Sequence, residues 1–366
     1  MVTSRAVAPW WAIAAVLAAG CKPNLDDVTS QVVAPEVVAI RADPAEVVPG
    51  QSVQYTALYI GPSGAITSGA IDWSFCNERK PLAQLGPVSP LCYQSAGSWL
   101  VDLGLGTSVT ATVADDACSL FGPDVPQPLP NQPPGRPVDP DPTGGYYQPV
   151  RTLTNGTGGD AIDIGETRIA CGLASSSSDV VAQFAQRYHV NANPKISTFG
   201  PTRPAAMWTD DTTPGNAGAT NDWPNSLGIH FNLEVAWPSC PETDVCGDGI
   251  CGPDETPLSC ATCNATVAVC PGDCSPLLQC QGAERYVVLE PGTDALTDQR
   301  EGISVLWYAT AGSFDVDRTG RDGSDLSSVS DNGWRAPDQP GIVTMWIVLL
   351  DDRGGTSWGE YVLDIH

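Results

Sequence analysis

The chain is written largely in period two. Glu36 to Ala42 is a short apolar run, after which Asp43-Pro44 and then Val47-Val48-Pro49-Gly50 turn the chain twice. From Gln51 to Ile60 the pattern alternates, with Val53, Tyr55, Ala57 and Tyr59 on one side. The same alternation returns at Ile71, Trp73 and Phe75, at Trp99, Val101 and Leu103, and at Val109, Ala111 and Val113, and Thr167 to Cys171 closes the set. Each run predicts a strand that turns one face inward. Several short strands separated by Gly- and Pro-rich turns predict a β-sandwich.

One segment departs from this rule. From 178 to 189, Val180, Val181, Phe184 and Tyr188 share a helical face behind a Ser178-Asp179 start signal, and Asn191-Ala192-Asn193-Pro194 ends it. A second strand set begins near Lys195. Ile229, Phe231, Leu233, Val235 and Trp237 alternate against His230, Asn232 and Glu234. Tyr286–Glu290 follows, then Ile303, Val305, Trp307 and Ala309. Gly341 to Leu350 is a nearly continuous apolar strand, Asp351-Asp352-Arg353-Gly354-Gly355 reads as a hairpin turn, and Trp358 to Ile365 runs back. Trp73 and Trp307 both sit mid-strand, a feature common on central strands of immunoglobulin-like sandwiches. The halves resemble bacterial immunoglobulin-like or PKD-like domains. The expected fold is therefore all-β: sandwiches at 36–177 and 195–366, with a helix and linker at 178–194 between them.

Two insertions interrupt that plan. Residues 121–149 hold ten prolines and read as an extended surface loop. Residues 240–280 hold Cys240, Cys246, Cys251, Cys260, Cys263, Cys270, Cys274 and Cys280 among Gly, Pro, Asp and Thr. Such a stretch has too little apolar surface for a core, so cross-links are expected to hold it. Cys260-Ala-Thr-Cys263 has a zinc-like spacing, but an exported chain favours disulfides. In the first half, Cys76 with Cys92 and Cys118 with Cys171 are the expected pairs.

The N-terminus indicates export. Arg5 supplies a positive start, Val7 to Ala19 is uncharged, and Ala18, Ala19 and Gly20 lead into Cys21. The apolar part is too short to span a membrane. Leu17-Ala-Ala-Gly-Cys21 resembles the lipobox of bacterial lipoproteins, with Ala18 at a position where that family usually has Leu. The resemblance implies cleavage of residues 1–20, diacylglyceryl transfer to Cys21 and a tether over 21–35. Lys22 in place of Asp implies sorting to the outer membrane or cell surface. The chain has 13 cysteines, and lipidation of Cys21 leaves an even number for disulfides. Cys246-Gly-Asp-Gly-Ile-Cys251 resembles a cysteine-rich repeat of secreted myxobacterial proteins, and segments 305–320 and 341–358 resemble uncharacterised lipoproteins of the same bacteria. That family implies no activity.

Composition narrows function mainly by exclusion. A net charge of −25 argues against nucleic acid as a partner and against electrostatic adhesion to anionic lipid. The 37 Gly and 33 Pro, against 16% charged residues, argue for turns over long helices. The three histidines, His189, His230 and His366, stand in no metal-binding or catalytic spacing, and no nucleophile or phosphate-loop motif is present. No catalytic residue and no cofactor is therefore expected. Asp315, Asp317 and Thr319, followed by Gly320, half-resemble a calcium loop, but Leu326 occupies the place of the closing Glu; an acidic hairpin is the expectation. The leading reading is a non-enzymatic surface module that binds an envelope protein or a glycan. The alternative is a carbohydrate-binding or carbohydrate-active protein using exposed Trp208, Trp223 and Trp334, which lie in Gly-, Pro- and Asp-rich stretches.

Overall fold

The computed structural model describes residues 29–69, 71–81, 86–124, 141–156, 159–174, 176–202, 208–209, 221–223, 226–240, 280–290 and 292–366. The signal peptide, Cys21, most of the proline-rich loop and Cys246, Cys251, Cys260, Cys263, Cys270 and Cys274 lie outside the described residues. The fold is all-β and built of two β-sandwiches, as the alternation predicts.

The first sandwich is built from β1 (Glu36–Asp43), β2 (Glu46–Val47), β3 (Ser52–Gly61), β4 (Gly64–Ala65), β5 (Asp72–Cys76), β6 (Leu100–Leu105), β7 (Ser108–Thr112), β8 (Gly145–Gly156) and β9 (Gly159–Ala170). One sheet centres on β3, which pairs with β1, β4 and β7; the other runs β2-β9-β8-β5-β6. Between them, Val53, Tyr55, Ile71, Trp73, Val150 and Ile169 are buried, which is why those strands alternate. The polar ends of the large rings are satisfied. Trp73 Nε1 donates to the Gly106 carbonyl at 2.7 Å, and the Tyr55 hydroxyl meets Thr167 Oγ1 at 2.7 Å.

The second sandwich contains β10 (Thr198–Pro201), β11 (Trp208–Thr209), β12 (Asn221–Trp223), β13 (His230–Ala236), β14 (Arg285–Leu289), β15 (Leu296–Arg300), β16 (Ile303–Ala309), β17 (Ser313–Phe314), β18 (Arg318–Arg321), β19 (Val329–Arg335), β20 (Gly341–Asp351) and β21 (Thr356–Ile365). Its sheets run β11-β10-β13-β19-β17 and β12-β21-β20-β16-β18, and β14 with β15 forms a separate hairpin. Phe199, Leu233, Trp307, Trp334, Met345 and Leu363 fill the space between the sheets.

The unbroken apolar run of β20 has a specific cause. Val343, Met345, Ile347 and Leu349 face their own core, while Trp346 and Val348 face the other way into a cluster with Val32, Leu58 and Ile60. Both faces of the strand are covered, so both are apolar. The β1–β3 sheet of the first sandwich thus lies against the outer face of the second, and the Arg41 guanidinium sits 5.1 Å from the Trp358 ring centroid.

Several expectations need correcting. A four-residue helix α1 (Ala117–Leu120) precedes the predicted one, α2 (Ser178–Arg187). Helix α2 ends two residues before His189, is capped by Ser177 rather than Ser178, and buries Val180 and Phe184 while Val181 is 40% exposed. The expected tether is docked from Thr29 onward. Gln31 forms a parallel bridge to Ala309, the Val32 amide donates to the Ala309 carbonyl at 2.9 Å, and Val32 is buried. The proline-rich loop was drawn too long, because Gly145–Pro149 belongs to β8. Pro149 is tolerated because β5 pairs with β8 only as far as Val150, and Gln148 Nε2 reaches the Cys76 carbonyl at 3.2 Å.

Candidate functional site

Two features rise above the scaffold: a surface cleft on the first sandwich, and a buried charged junction between the sandwiches. The cleft, about 200 Å³, lies where the segment after β5 meets the start of β8. Its lining mixes Val88, Phe121 and Pro149 with Lys80, Tyr146 and Glu166. Burial pushes the Glu166 carboxyl above its ordinary pKa, and Lys80 opposes this. Tyr146 is fixed because its hydroxyl accepts the Asp141 amide at 3.2 Å. A recess that mixes apolar and polar groups suits a small ligand or one side chain of a partner.

The junction is assembled from widely separated segments. Arg353, in the tight β20–β21 turn, projects into it. Its Nε donates to Glu301 Oε1 at 2.5 Å, its Nη2 to Glu284 Oε2 at 2.8 Å and its Nη1 to the His189 carbonyl at 3.1 Å. Its ring neighbour is Tyr286, whose centroid lies 4.9 Å from the guanidinium. On the first-sandwich side, Arg168 Nε lies 3.3 Å from Glu46 Oε1, and Arg168 also donates to Tyr147 Oη and Thr143. Glu46 joins the two sides: it accepts from the Asn191 amide at 2.7 Å and from the Tyr188 hydroxyl. Asn191 in turn donates to Asp351 Oδ1 at 3.4 Å, and Tyr147 Oη donates to the Arg353 carbonyl at 3.4 Å.

Burial governs the protonation of this network. Burial and then Glu301 hold Glu284 well above the carboxylate range, while Arg353 opposes them. Burial pushes Glu301 up to about 8, Arg353 opposes, and Asp351 adds to the rise. For Arg353, burial lowers the pKa, but Glu301 and Glu284 outweigh it, so the guanidinium stays charged.

The residues nominated by sequence fall in different places. Cys76 is bonded to Cys92 and Cys118 to Cys171, while Cys240 to Cys280 closes the neck of the cysteine-rich insert. Disulfides belong to an oxidising compartment, so the chain is a surface or secreted protein. Asp315, Asp317 and Thr319 do not converge. Asp315 pairs with His230 Nε2 at 2.9 Å, Asp317 accepts from Thr29 at 2.7 Å, and Thr319 Oγ1 accepts from Trp307 Nε1 at 2.9 Å. Among the described residues no cluster of three His, Cys, Asp or Glu suits a metal. Their oxygens are thus engaged separately, and His230, exposed as expected on the polar face of its strand, is hydrogen-bonded to Asp315. Trp334 is 0% exposed, which removes it from the sugar-stacking set; the side chains of Trp208 and Trp223 lie outside the described residues. Sequence reading missed the junction. Its one visible trace was the hairpin turn at 351–355, read for its glycines and not for Arg353.

No protein-family model matches the chain, and no curated protein does. Among solved structures it is similar to the D00-D0 domain of intimin, at 8% identity and a TM-score of 0.20, covering 92% of this chain and 100% of that one. It is similar to the Yersinia pseudotuberculosis adhesin InvE at 10% identity and a TM-score of 0.20, covering 89% and 58%. It is also similar to extracellular cadherin domains 3-6 of protocadherin gamma B2, at 10% identity and a TM-score of 0.16, covering 91% and 51%. At such TM-scores these likenesses carry no argument about what the chain does.

Proposed function

We propose that the chain is a non-enzymatic, lipid-anchored protein of the cell envelope. In this reading acyl groups on Cys21 hold it at the outer membrane or cell surface, where its paired sandwiches act as one binding or assembly module for an envelope protein or a glycan. The observation that carries the reading is the joint between the sandwiches. An apolar cluster, a buried ion network and a docked N-terminal segment join them. Rigid presentation of a surface lowers the ordering cost of binding. The anchor reading adds position. Only the seven residues Lys22–Val28 separate Cys21 from the docked Thr29, so the body would stand at most roughly 29 Å from its lipid. The cleft around Lys80 and Glu166 is a recess of a size to receive a partner's side chain.

The test is made in intact cells. The wild-type chain is cross-linked, extracted in detergent and analysed by mass spectrometry beside Cys21→Ala. The expected result is a reproducible envelope partner for the wild type, and movement of Cys21→Ala into the soluble fraction. Retention of Cys21→Ala on the membrane overturns the anchor. A chain that emerges alone but shows tryptophan quenching on glycans overturns protein assembly in favour of carbohydrate binding, which would then rest on Trp208, Trp223 or the cleft.

A further inference from the structure

The junction holds more acid than base. Four buried carboxyl groups, on Glu46, Glu284, Glu301 and Asp351, share it with two buried guanidiniums, on Arg168 and Arg353. Arg168 is the nearest cation to Glu46, at 3.3 Å, although Glu46 also acts on Arg353. Arg353 faces the other three acids. Burial raises the Asp351 carboxyl, but backbone N–H groups donate to its Oδ1, from Arg353 at 2.9 Å and Gly355 at 2.7 Å, and favour the anion there more than at the glutamates. Glu284 and Glu301 then compete for one guanidinium, and the Glu284 amide itself donates to Glu301 Oε2 at 3.0 Å. Two ionised carboxylates beside one cation, cut off from water, are too costly to hold. One proton shared by the pair removes the imbalance.

We propose that this shared proton is a lock between the sandwiches: while the Glu284–Glu301 pair holds it the junction is closed, and its loss on the alkaline side releases the β14–β15 hairpin and the β20–β21 turn from the first sandwich while both cores stay folded. The remaining groups facing the pair either cannot replace the proton or lie at the edge. Asp352 caps the Gly302 amide at 3.1 Å, and Arg187 and Arg285 are occupied by Asp298 on the hairpin's other face. Tyr147, Tyr188 and Tyr286 are each held neutral, burial being the first cause. The sign follows from the raised carboxyl pKa values. The folded junction keeps a proton that an unfolded chain releases near 4.5, so its stabilisation is complete below that pH and is lost as pH rises through about 8.

The test is hydrogen–deuterium exchange on the whole chain with disulfides intact, from pH 6 to pH 9.5, corrected for the intrinsic exchange rate. Peptides covering 284–301 and 351–356 should lose protection about ten-fold or more across this range, while those covering β16 and β8 keep theirs. Glu284→Gln, which replaces the proton-holding group by a neutral amide, should stay protected to pH 9.5. Glu290→Gln, on an exposed residue, should follow the wild type. A flat wild-type profile overturns the lock, as does simultaneous loss of protection in the cores. The wild-type profile decides the matter by itself if Glu284→Gln does not fold; if it folds, loosening with the wild-type pH dependence also overturns the proposal.

Discussion

Arg353 is the residue on which the most free energy turns. Replaced by Ala, it would leave Glu284, Glu301 and Asp351 buried without their cation, and removing one partner of a buried ion network costs about 3–5 kcal/mol. Urea unfolding at pH 8 should show a loss of that size, shrinking toward pH 5 as the orphaned acids take up protons. A loss below about 1 kcal/mol at pH 8, typical of an exposed pair, would mean that the network is solvated in solution. At this scale the sequence was legible where inward positions are apolar. Trp73 and Trp307 stood out because their neighbours at ±2 are Ile71, Phe75, Val305 and Ala309. Trp334 did not, because the inward residues before it are Ser330 and Asn332. Both are polar and satisfied inside, Ser330 by Thr319 at 2.8 Å and Asn332 by the Val316 carbonyl at 2.7 Å. A strand whose buried face is half polar has no period-two signal, so Trp334 read as a loop residue.

Among the elements, the strands found from sequence are those with one clean apolar face or, for β20, two. Those missed share a different logic. The beginning of β8 falls in the stretch expected as a proline-rich loop, and β19 carries Trp334, expected in a Gly-, Pro- and Asp-rich loop. The segment that half-resembles a calcium loop is shaped by close strand approach. Gly320, at φ +150°, lies in β18 opposite Ser304, and a Cβ there would collide with the Ile303 carbonyl. Its glycine therefore serves the β16–β18 pairing. Gly320→Ala should lower stability by about 1–3 kcal/mol through backbone strain, seen as a reduced melting temperature that added calcium does not restore. An unchanged melting temperature would show that β18 can shift away from β16 without cost, and rescue by calcium would place an ion at this segment.

At the scale of the molecule, what sequence could not show is how the sandwiches meet. The junction draws Glu46, Arg168, Asn191, Glu284, Glu301 and Arg353 from segments far apart in the chain, and no spacing rule links them. The docking of Thr29–Val32 on β16 was hidden in the same way, inside a stretch whose polarity read as a free tether. These contacts bear on cooperativity. Two sandwiches joined by a flexible linker would unfold separately. Here the chain's first described residues bind the second sandwich, its next strands form the first, and the rest returns to the second, with apolar and ionic contacts between them. Calorimetry at pH 6, with disulfides intact, should therefore give one transition whose van't Hoff and calorimetric enthalpies agree. At pH 9.5, with the shared proton gone, the single peak should broaden or divide as the sandwiches lose their coupling. Two separate peaks already at pH 6 would mean that each sandwich is its own cooperative unit, and that the junction aligns them without making them fold as one.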